Sequence, residues 1–249
     1  MATRRATSRQ RAVWTSRVTS WDTHGSPALA NVTAAVLGVA RAQPGDVVID
    51  LGAGTGQLSL PLARRGAEVL AVDVSPAMVN ALRAKAARNG MRDLHSLAMP
   101  IEALDLPAGT ADLIISCYAL HHLRDADKER LVQAAFRWLR PGGQLVIADM
   151  MFGRGGSSRD RNIIRIKIMA LARKGPGGWW RIIKNVARYL MRVQECPISM
   201  AAWTELFERA GFNQIAASGI VAEAGLVTGQ RPGTPKPAAV TAPVDRTRG

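Results

Sequence analysis

The chain has 249 residues, 47% apolar and 21% charged, enough for one α/β domain or a domain with an inserted subdomain. That balance excludes wholesale disorder, a collagen-like repeat and a disulfide scaffold. Thirty-three Lys and Arg against nineteen Asp and Glu leave a formal net charge of +14, which points to an anionic partner: nucleic acid, a membrane surface or an acidic substrate.

Residues 1–27 read as a basic N-terminal arm with Trp14, Trp21 and a turn at 25–27. Arg4, Arg5, Arg9, Arg11 and Arg17 stand in it with no acid before residue 18. It has no apolar h-region, and its Arg/Ser/Thr-rich composition is that of a mitochondrial transit peptide. A solvated basic arm on a cytoplasmic protein is the simpler reading.

A helix is expected over 28–42, closed by Pro44 and Gly45. The run at 47–51 is a continuous apolar strand of the buried parallel type. A helix at 57–65, a strand at 67–72 and a helix at 76–89 follow, the last stopped by Gly90. Strands are expected at 95–98, 112–117 and 144–149, with a helix over 128–139 stopped by Pro141, Gly142 and Gly143. Alternating strands and helices mean βαβ units and a parallel sheet covered on both faces.

After Asp149 the rhythm breaks. Residues 150–198 form an insertion, and within it 159–194 hold ten Lys/Arg and one acid, Asp160. Over 179–193, Arg181, Lys184, Arg188 and Arg192 fall on one helical face, while Trp179, Ile183, Val186, Leu190 and Val193 recur on another. The alternation at 163–167 leaves helix and strand open. Such a cationic amphipathic helix suits an anionic lipid surface, or equally a helix that covers a pocket and solvates its basic face. From Ser199, an N-cap candidate, a helix is expected to Ala210, then strands near 215–221 and 226–230. The Pro/Thr/Ala-rich residues 233–249 read as a disordered tail. Cys117 and Cys196 are too far apart in sequence to suggest a metal motif or a disulfide framework. No apolar run reaches the roughly 18 residues of a membrane span.

Residues 47–57 carry Gly52, Gly54 and Gly56 between a buried strand and a helix, with Asp50 at the strand end. Glycines there permit the tight turn and close approach of backbone to a ligand. A second acid, Asp73, ends the next strand, where a carboxylate can take both hydroxyls of a ribose. The runs at 50–56 (DLGAGTG), 71–78 (AVDVSPAM), 111–123 (ADLIISCYALHHL), 138–149 (WLRPGGQLVIAD) and 203–212 (WTELFERAGF) together resemble the class I S-adenosylmethionine-dependent methyltransferases. The likeness is to the small-molecule and lipid type, similar to methyltransferase domain 11, in order and spacing from about residue 28 to 232.

The resemblance implies a Rossmann-like, doubly wound, seven-stranded and mostly parallel sheet, with a C-terminal antiparallel hairpin and a helical insertion. It implies S-adenosylmethionine as cofactor. Gly52, Gly54 and Gly56 would pass its methionine part and Asp50 would act near its ammonium. Asp73 and Val74 would meet the ribose, and Met78 would pack by the adenine. Cys117 would border the same pocket. Where relatives often place an Asp for the adenine amino group this chain has Pro100, so adenine would rest on backbone near Met99 and Ile101, on Glu102, or on apolar packing.

Methyl transfer is an in-line displacement from a sulfonium carbon, which needs alignment and a dry site more than acid help. A hydroxyl or carbon acid also needs a base. His121 and His122, at the carboxyl end of the fourth strand, are the candidates, and His24 in the arm is a third. The quartet found in amino methyltransferases is absent: residues 116–119 are SCYA. No Cys/His/Asp cluster has metal-ligand spacing, so no metal is expected. The chain therefore reads as a methyltransferase acting on a small lipophilic or lipid-like acceptor, with a peripheral contact to an anionic membrane through 159–194. The alternatives are an RNA methyltransferase that clamps phosphates with its two basic segments, and a cofactor-binding module without catalysis.

Overall fold

The computed structural model describes residues 11, 12, 14, 15, 18, 27–153, 161, 162, 165, 169, 196–221 and 223–234. His24, the amphipathic stretch at 179–193 and residues 235–249 lie outside the described residues.

The described chain runs α1 (Pro27–Val39), β1 (Val47–Leu51), α2 (Ser59–Arg64), β2 (Glu68–Asp73), α3 (Pro76–Arg88), β3 (Leu94–Ala98), β4 (Ala111–Cys117), α4 (Asp125–Trp138), β5 (Leu139–Met150), α5 (Met200–Ala210), β6 (Asn213–Gly219) and β7 (Ala224–Gln230). Short 3-10 turns stand at Ile101–Ala103 and Leu120–His122. The strands form one sheet in the order β3-β2-β1-β4-β5-β7-β6. β1 to β5 pair in parallel, and β7 runs antiparallel to both β5 and β6. This is the doubly wound sheet with a C-terminal antiparallel hairpin that the sequence implied.

Burial on both faces explains the apolar strands. Val48, Leu113, Ile115, Val146 and Ala148 point to one layer with Val36 of α1, Leu62 of α2 and Leu82 of α3. Ile49, Leu51, Ile114, Leu145 and Ile147 point to the other, against Leu131 and Trp138 of α4 and Trp203 and Phe207 of α5. The period of two along each strand sends neighbours to opposite layers. Two helix starts are capped by side chains: Ser75 accepts from the Met78 N–H at 3.4 Å and Ser199 from the Ala202 N–H at 3.1 Å. Gly211, in the left-handed region at φ +96°, ends α5.

α1 ends at Val39 rather than 42, the last two strands begin two residues early, and two further boundaries differ from expectation. α4 begins at Asp125, not at 128, because Asp125 and Asp127 occupy its first turn and suit the positive end of the helix dipole. β5 begins at Leu139 and runs through Pro141, Gly142 and Gly143, which sequence alone marks as a break. A register shift against β4 absorbs the extra residues. The Gly142 N–H donates to the Arg231 carbonyl at 2.9 Å, and the Arg231 N–H to the Gly143 carbonyl at 2.8 Å.

The sheet order reverses between β1 and β4. A crevice opens there at the carboxyl ends of the strands, where open α/β sheets take ligands.

Candidate functional site

The crevice is an open pocket whose empty space, solvent mouth included, is about 840 Å³. Its floor is the turn after β1. The Gly52 and Ala53 N–H groups donate to the Val72 carbonyl at 2.8 and 3.0 Å, which binds this turn to the end of β2. Gly52 sits at φ +80°, and a Cβ there would lie 2.2 Å from the Ala119 Cβ. Only glycine fits between the floor and the turn after β4.

Three carboxylates line this cavity, Asp50, Asp73 and Glu102, and the first two stand at the ends of β1 and β2. Asp50 is 1% exposed and accepts the Ser59 hydroxyl at 2.5 Å. Burial pushes its carboxyl up to about 7, against the lowering effect of the Ser59 hydrogen bond and with some help from the charge of Asp73. A buried acid poised there gains most from a cation placed against it. Asp73 accepts the Gly54 N–H at 2.9 Å on one oxygen and the Ser75 N–H at 2.8 Å on the other. Burial raises its carboxyl, and these two backbone bonds oppose the rise. They fix both oxygens at the pocket edge while leaving lone pairs for two hydroxyls.

Of the residues singled out from sequence, Asp50, Gly52, Gly54, Asp73, Val74, Met78, Ile101, Cys117 and His122 line the cavity. Gly56 lies behind the loop, where a Cβ would meet Leu82 at 2.3 Å. Met99 packs on the core and donates its N–H to the Asp73 carbonyl at 2.9 Å. The two histidines part company. His122 is in the cavity wall, whereas His121 is 6% exposed and bound to Asp149 beside it. Pro100 stands at the start of the 3-10 turn that brings Ile101 and Glu102 to the wall.

Sequence reasoning missed several wall residues. Trp14 of the arm lines the cavity, with its ring centroid 5.7 Å from that of His122 in an edge arrangement. Arg11 donates to the Val74 carbonyl at 3.3 Å, and the Thr15 and Ser75 hydroxyls are 3.2 Å apart. The arm therefore lies across the end of β2. Leu29 and Thr33 of α1 complete that side. Burial pushes the Cys117 thiol up, aided by the charges of Asp149 and Asp50, so it is a neutral wall group. Tyr118 holds φ at +51°. Among the described residues no group of three or more His, Cys, Asp or Glu is placed to hold a metal ion.

The cavity fits S-adenosylmethionine on structural grounds: a buried carboxylate for the ammonium, a glycine floor that a Cβ would fill, and a second carboxylate for the ribose. A family model described as a methyltransferase domain matches residues 48–143. An uncharacterized methyltransferase of Geobacillus kaustophilus is 32% identical over 141 residues, 56% of this chain and 60% of its own length. The ubiquinone/menaquinone biosynthesis C-methyltransferase UbiE of Vibrio campbellii is 34% identical over 113 residues, 43% of this chain and 42% of its own. The chain thus spans less than two thirds of the length of these relatives. In fold it is similar to a SAM-dependent methyltransferase of Aquifex aeolicus, with a TM-score of 0.58 at 18% identity over 86% of this chain and 98% of the other. The Haemonchus contortus phosphoethanolamine N-methyltransferase 2, solved with S-adenosylhomocysteine, gives a TM-score of 0.63 at 15% identity over 81% and 53%. Residues 48–143 thus match a methyltransferase domain, set in a fold that the chain shares with S-adenosylmethionine-dependent methyltransferases.

Proposed function

We propose that the chain transfers a methyl group from S-adenosylmethionine to a small lipophilic or lipid-like acceptor, with His122 as the base that faces it. The observation that carries this reading is the division of the cavity wall. Asp50, buried, and Asp73, half-buried, stand at the ends of β1 and β2. The rest of the lining includes Trp14, Leu29, Tyr118 and Leu123, with His122 among them, beside the polar Thr33, Gln57 and Glu102. The aliphatic and aromatic part of this wall selects a flat or greasy acceptor by burial. It offers that acceptor an imidazole, which takes a proton near neutral pH.

The bound cofactor supplies a methyl group on a positively charged sulfur, which leaves as a neutral thioether. The chain's own residues do the rest. Asp50 pairs with the ammonium, Asp73 with the ribose hydroxyls, and Met78 and Ile101 pack by the adenine. Trp14 and α1 narrow the mouth and keep water away from the reacting groups. His122 accepts the proton that a hydroxyl or carbon acid releases as it becomes a nucleophile.

The lipid-like class draws support from two further facts. The UbiE relative is named for ubiquinone and menaquinone biosynthesis. Residues 159–194, as a sequence, combine ten basic residues with an amphipathic pattern. We therefore place the acceptor's source at an anionic membrane surface, contacted peripherally. No helix among the described residues is long and apolar enough to cross a membrane.

The test is transfer of labelled methyl from S-adenosylmethionine into fractionated lipid, small-molecule and RNA extracts. Label in the lipid or apolar small-molecule fraction is expected. Label in RNA alone, with steep salt dependence, would replace this reading by a phosphate-clamping RNA methyltransferase. Cofactor binding with no label anywhere would leave a binding module. Copelleting with anionic vesicles at low salt, lost on Arg181, Lys184 and Arg188→Ala, checks the membrane part. Failure of the unmodified chain to copellet removes that part.

A further inference from the structure

His121 is buried and does not line the cavity, yet three of its polar groups are committed. Its ring Nδ1 is 2.5 Å from one Asp149 oxygen, and its backbone N–H donates to the other at 2.8 Å. Its carbonyl accepts the Cys196 N–H at 2.6 Å. Asp149 also accepts the Met150 N–H at 2.7 Å. With backbone donors on both oxygens, the carboxylate is an acceptor throughout, so the ring proton of His121 sits on Nδ1. Asp149 closes the parallel part of the sheet at the end of β5, and Cys196 precedes α5. The two flanks of the 154–195 segment thus meet on one residue. Lys128 reinforces the second flank: its fully buried ammonium donates to the Leu123 carbonyl at 2.5 Å and the Cys196 carbonyl at 2.6 Å.

The ring of His121 has one more neighbour. Its centroid is 4.0 Å from that of His122, with the planes tilted by 48°, and Tyr118 stands edge-on to it at 6.5 Å. The His122 ring is therefore in contact with both Trp14 and His121. Two consecutive histidines in a 3-10 turn do different work: one anchors the turn from beneath and its neighbour faces the cavity.

We propose that His121, oriented by Asp149, is a positioning residue that sets the ring of His122 in the cavity wall and registers both flanks of the 154–195 segment to it. This rests on the functional reading above, since it gives His122 its purpose. The mechanism is geometric. Asp149 fixes the plane and tautomer of His121, and packing of one ring on the other passes that orientation to His122. The cofactor floor, built from β1 and β2, is not part of this chain of contacts.

The chain has four histidines, so their imidazole nitrogens are separable by NMR of the full-length protein labelled with ¹⁵N-histidine. In the unmodified chain one buried histidine is expected as the Nδ1–H tautomer, and His122 should shift when S-adenosylhomocysteine is added. His121→Leu keeps the bulk and backbone bonds but removes the ring donor. It should displace the His122 signals and at least halve their response, with S-adenosylhomocysteine affinity kept within about threefold by calorimetry. His121→Asn, whose amide can replace the Nδ1–H donor, should restore most of the response. Asp149→Asn provides an isosteric check and should disturb His122 in the same direction. Unchanged His122 signals in both His121→Leu and Asp149→Asn would overturn the proposal. A tenfold loss of cofactor affinity in His121→Leu would overturn it too, because His121 would then be shaping the floor. If S-adenosylhomocysteine fails to bind the unmodified chain, the functional reading fails, whereas the effect of His121→Leu on the His122 signals still reads the positioning role.

Discussion

Replacing Asp50 by Asn should make the protein more stable and less able to bind its cofactor. In the folded chain the Asp50 carboxyl is pushed from 3.8 to about 7, chiefly by burial. In the unfolded chain it loses its proton near the ordinary value. Between these limits the folded state holds a proton that the unfolded state has released, so this group lowers stability progressively as pH rises towards 7. At about 1.4 kcal/mol per pH unit the full penalty has a ceiling of about 4 kcal/mol, and relaxation around a buried charge reduces it to an expected 1–3 kcal/mol. Asn has the same shape, can still accept the Ser59 hydroxyl, and does not titrate. Urea unfolding of both proteins at pH 5, 6, 7 and 8 reads the difference. The variant's advantage should be small at pH 5, grow with pH and level off above about 7, while its affinity for S-adenosylhomocysteine falls at pH 8. Parallel stability curves across that range would refute the reasoning, as would a variant less stable at pH 8.

Other expectations follow from the same geometry. The unmodified chain should bind S-adenosylhomocysteine roughly tenfold more tightly at pH 8 than at pH 6, because a protonated Asp50 cannot pair with the ammonium; calorimetry showing no pH trend would separate Asp50 from cofactor binding. Asp73→Ala removes the acceptor for the Gly54 and Ser75 N–H groups and should weaken cofactor binding at least tenfold, so an unchanged affinity would displace the ribose site. Gly52→Ala forces a Cβ against Ala119 at a positive φ; about 1–2 kcal/mol of backbone strain adds to about 1–3 kcal/mol of overpacking, visible as a lower urea midpoint and lost cofactor binding. Lys128→Met leaves the Leu123 and Cys196 carbonyls without their donor, at about 1–3 kcal/mol each less the relief of a buried ammonium. A net loss of about 1–3 kcal/mol in urea unfolding is expected, and a fully neutral change would mean that Lys128 ties nothing down.

How much of this could be read in the sequence depended on how local the cause was. The sheet was legible because buried parallel strands are written as unbroken apolar runs, and Val47 to Leu51 or Ala111 to Cys117 allow little else. The cofactor floor was legible because Gly52, Asp50 and Asp73 lie within one βαβ unit, where spacing along the chain fixes spacing in space. The wall opposite was not. Trp14 reaches His122 from an arm 108 residues earlier, Asp149 is bound to His121 across 28 residues, and Lys128 holds Cys196 across 68. No periodicity encodes such contacts. The start of β5 was misjudged for the same reason: Pro141, Gly142 and Gly143 look like a break, but Arg231 supplies the backbone partners that keep the strand going.

The charge follows this division between local and distant causes. Residues 43–152 hold eleven basic and twelve acidic residues, so the cofactor body is nearly neutral. The excess lies in the arm and in 159–194. The arm has one described foot on the pocket, with Trp14 against His122 and Arg11 on Val74. Segment 154–195 has both its flanks tied to His121. The arm's described contacts thus fall on both His122 and the end of β2, and the residues flanking 154–195 meet at His121 beside the wall. Under the proposed function that charge would act on whatever brings the acceptor, and an anionic surface presenting a lipophilic molecule would meet both the charge and the apolar part of the wall.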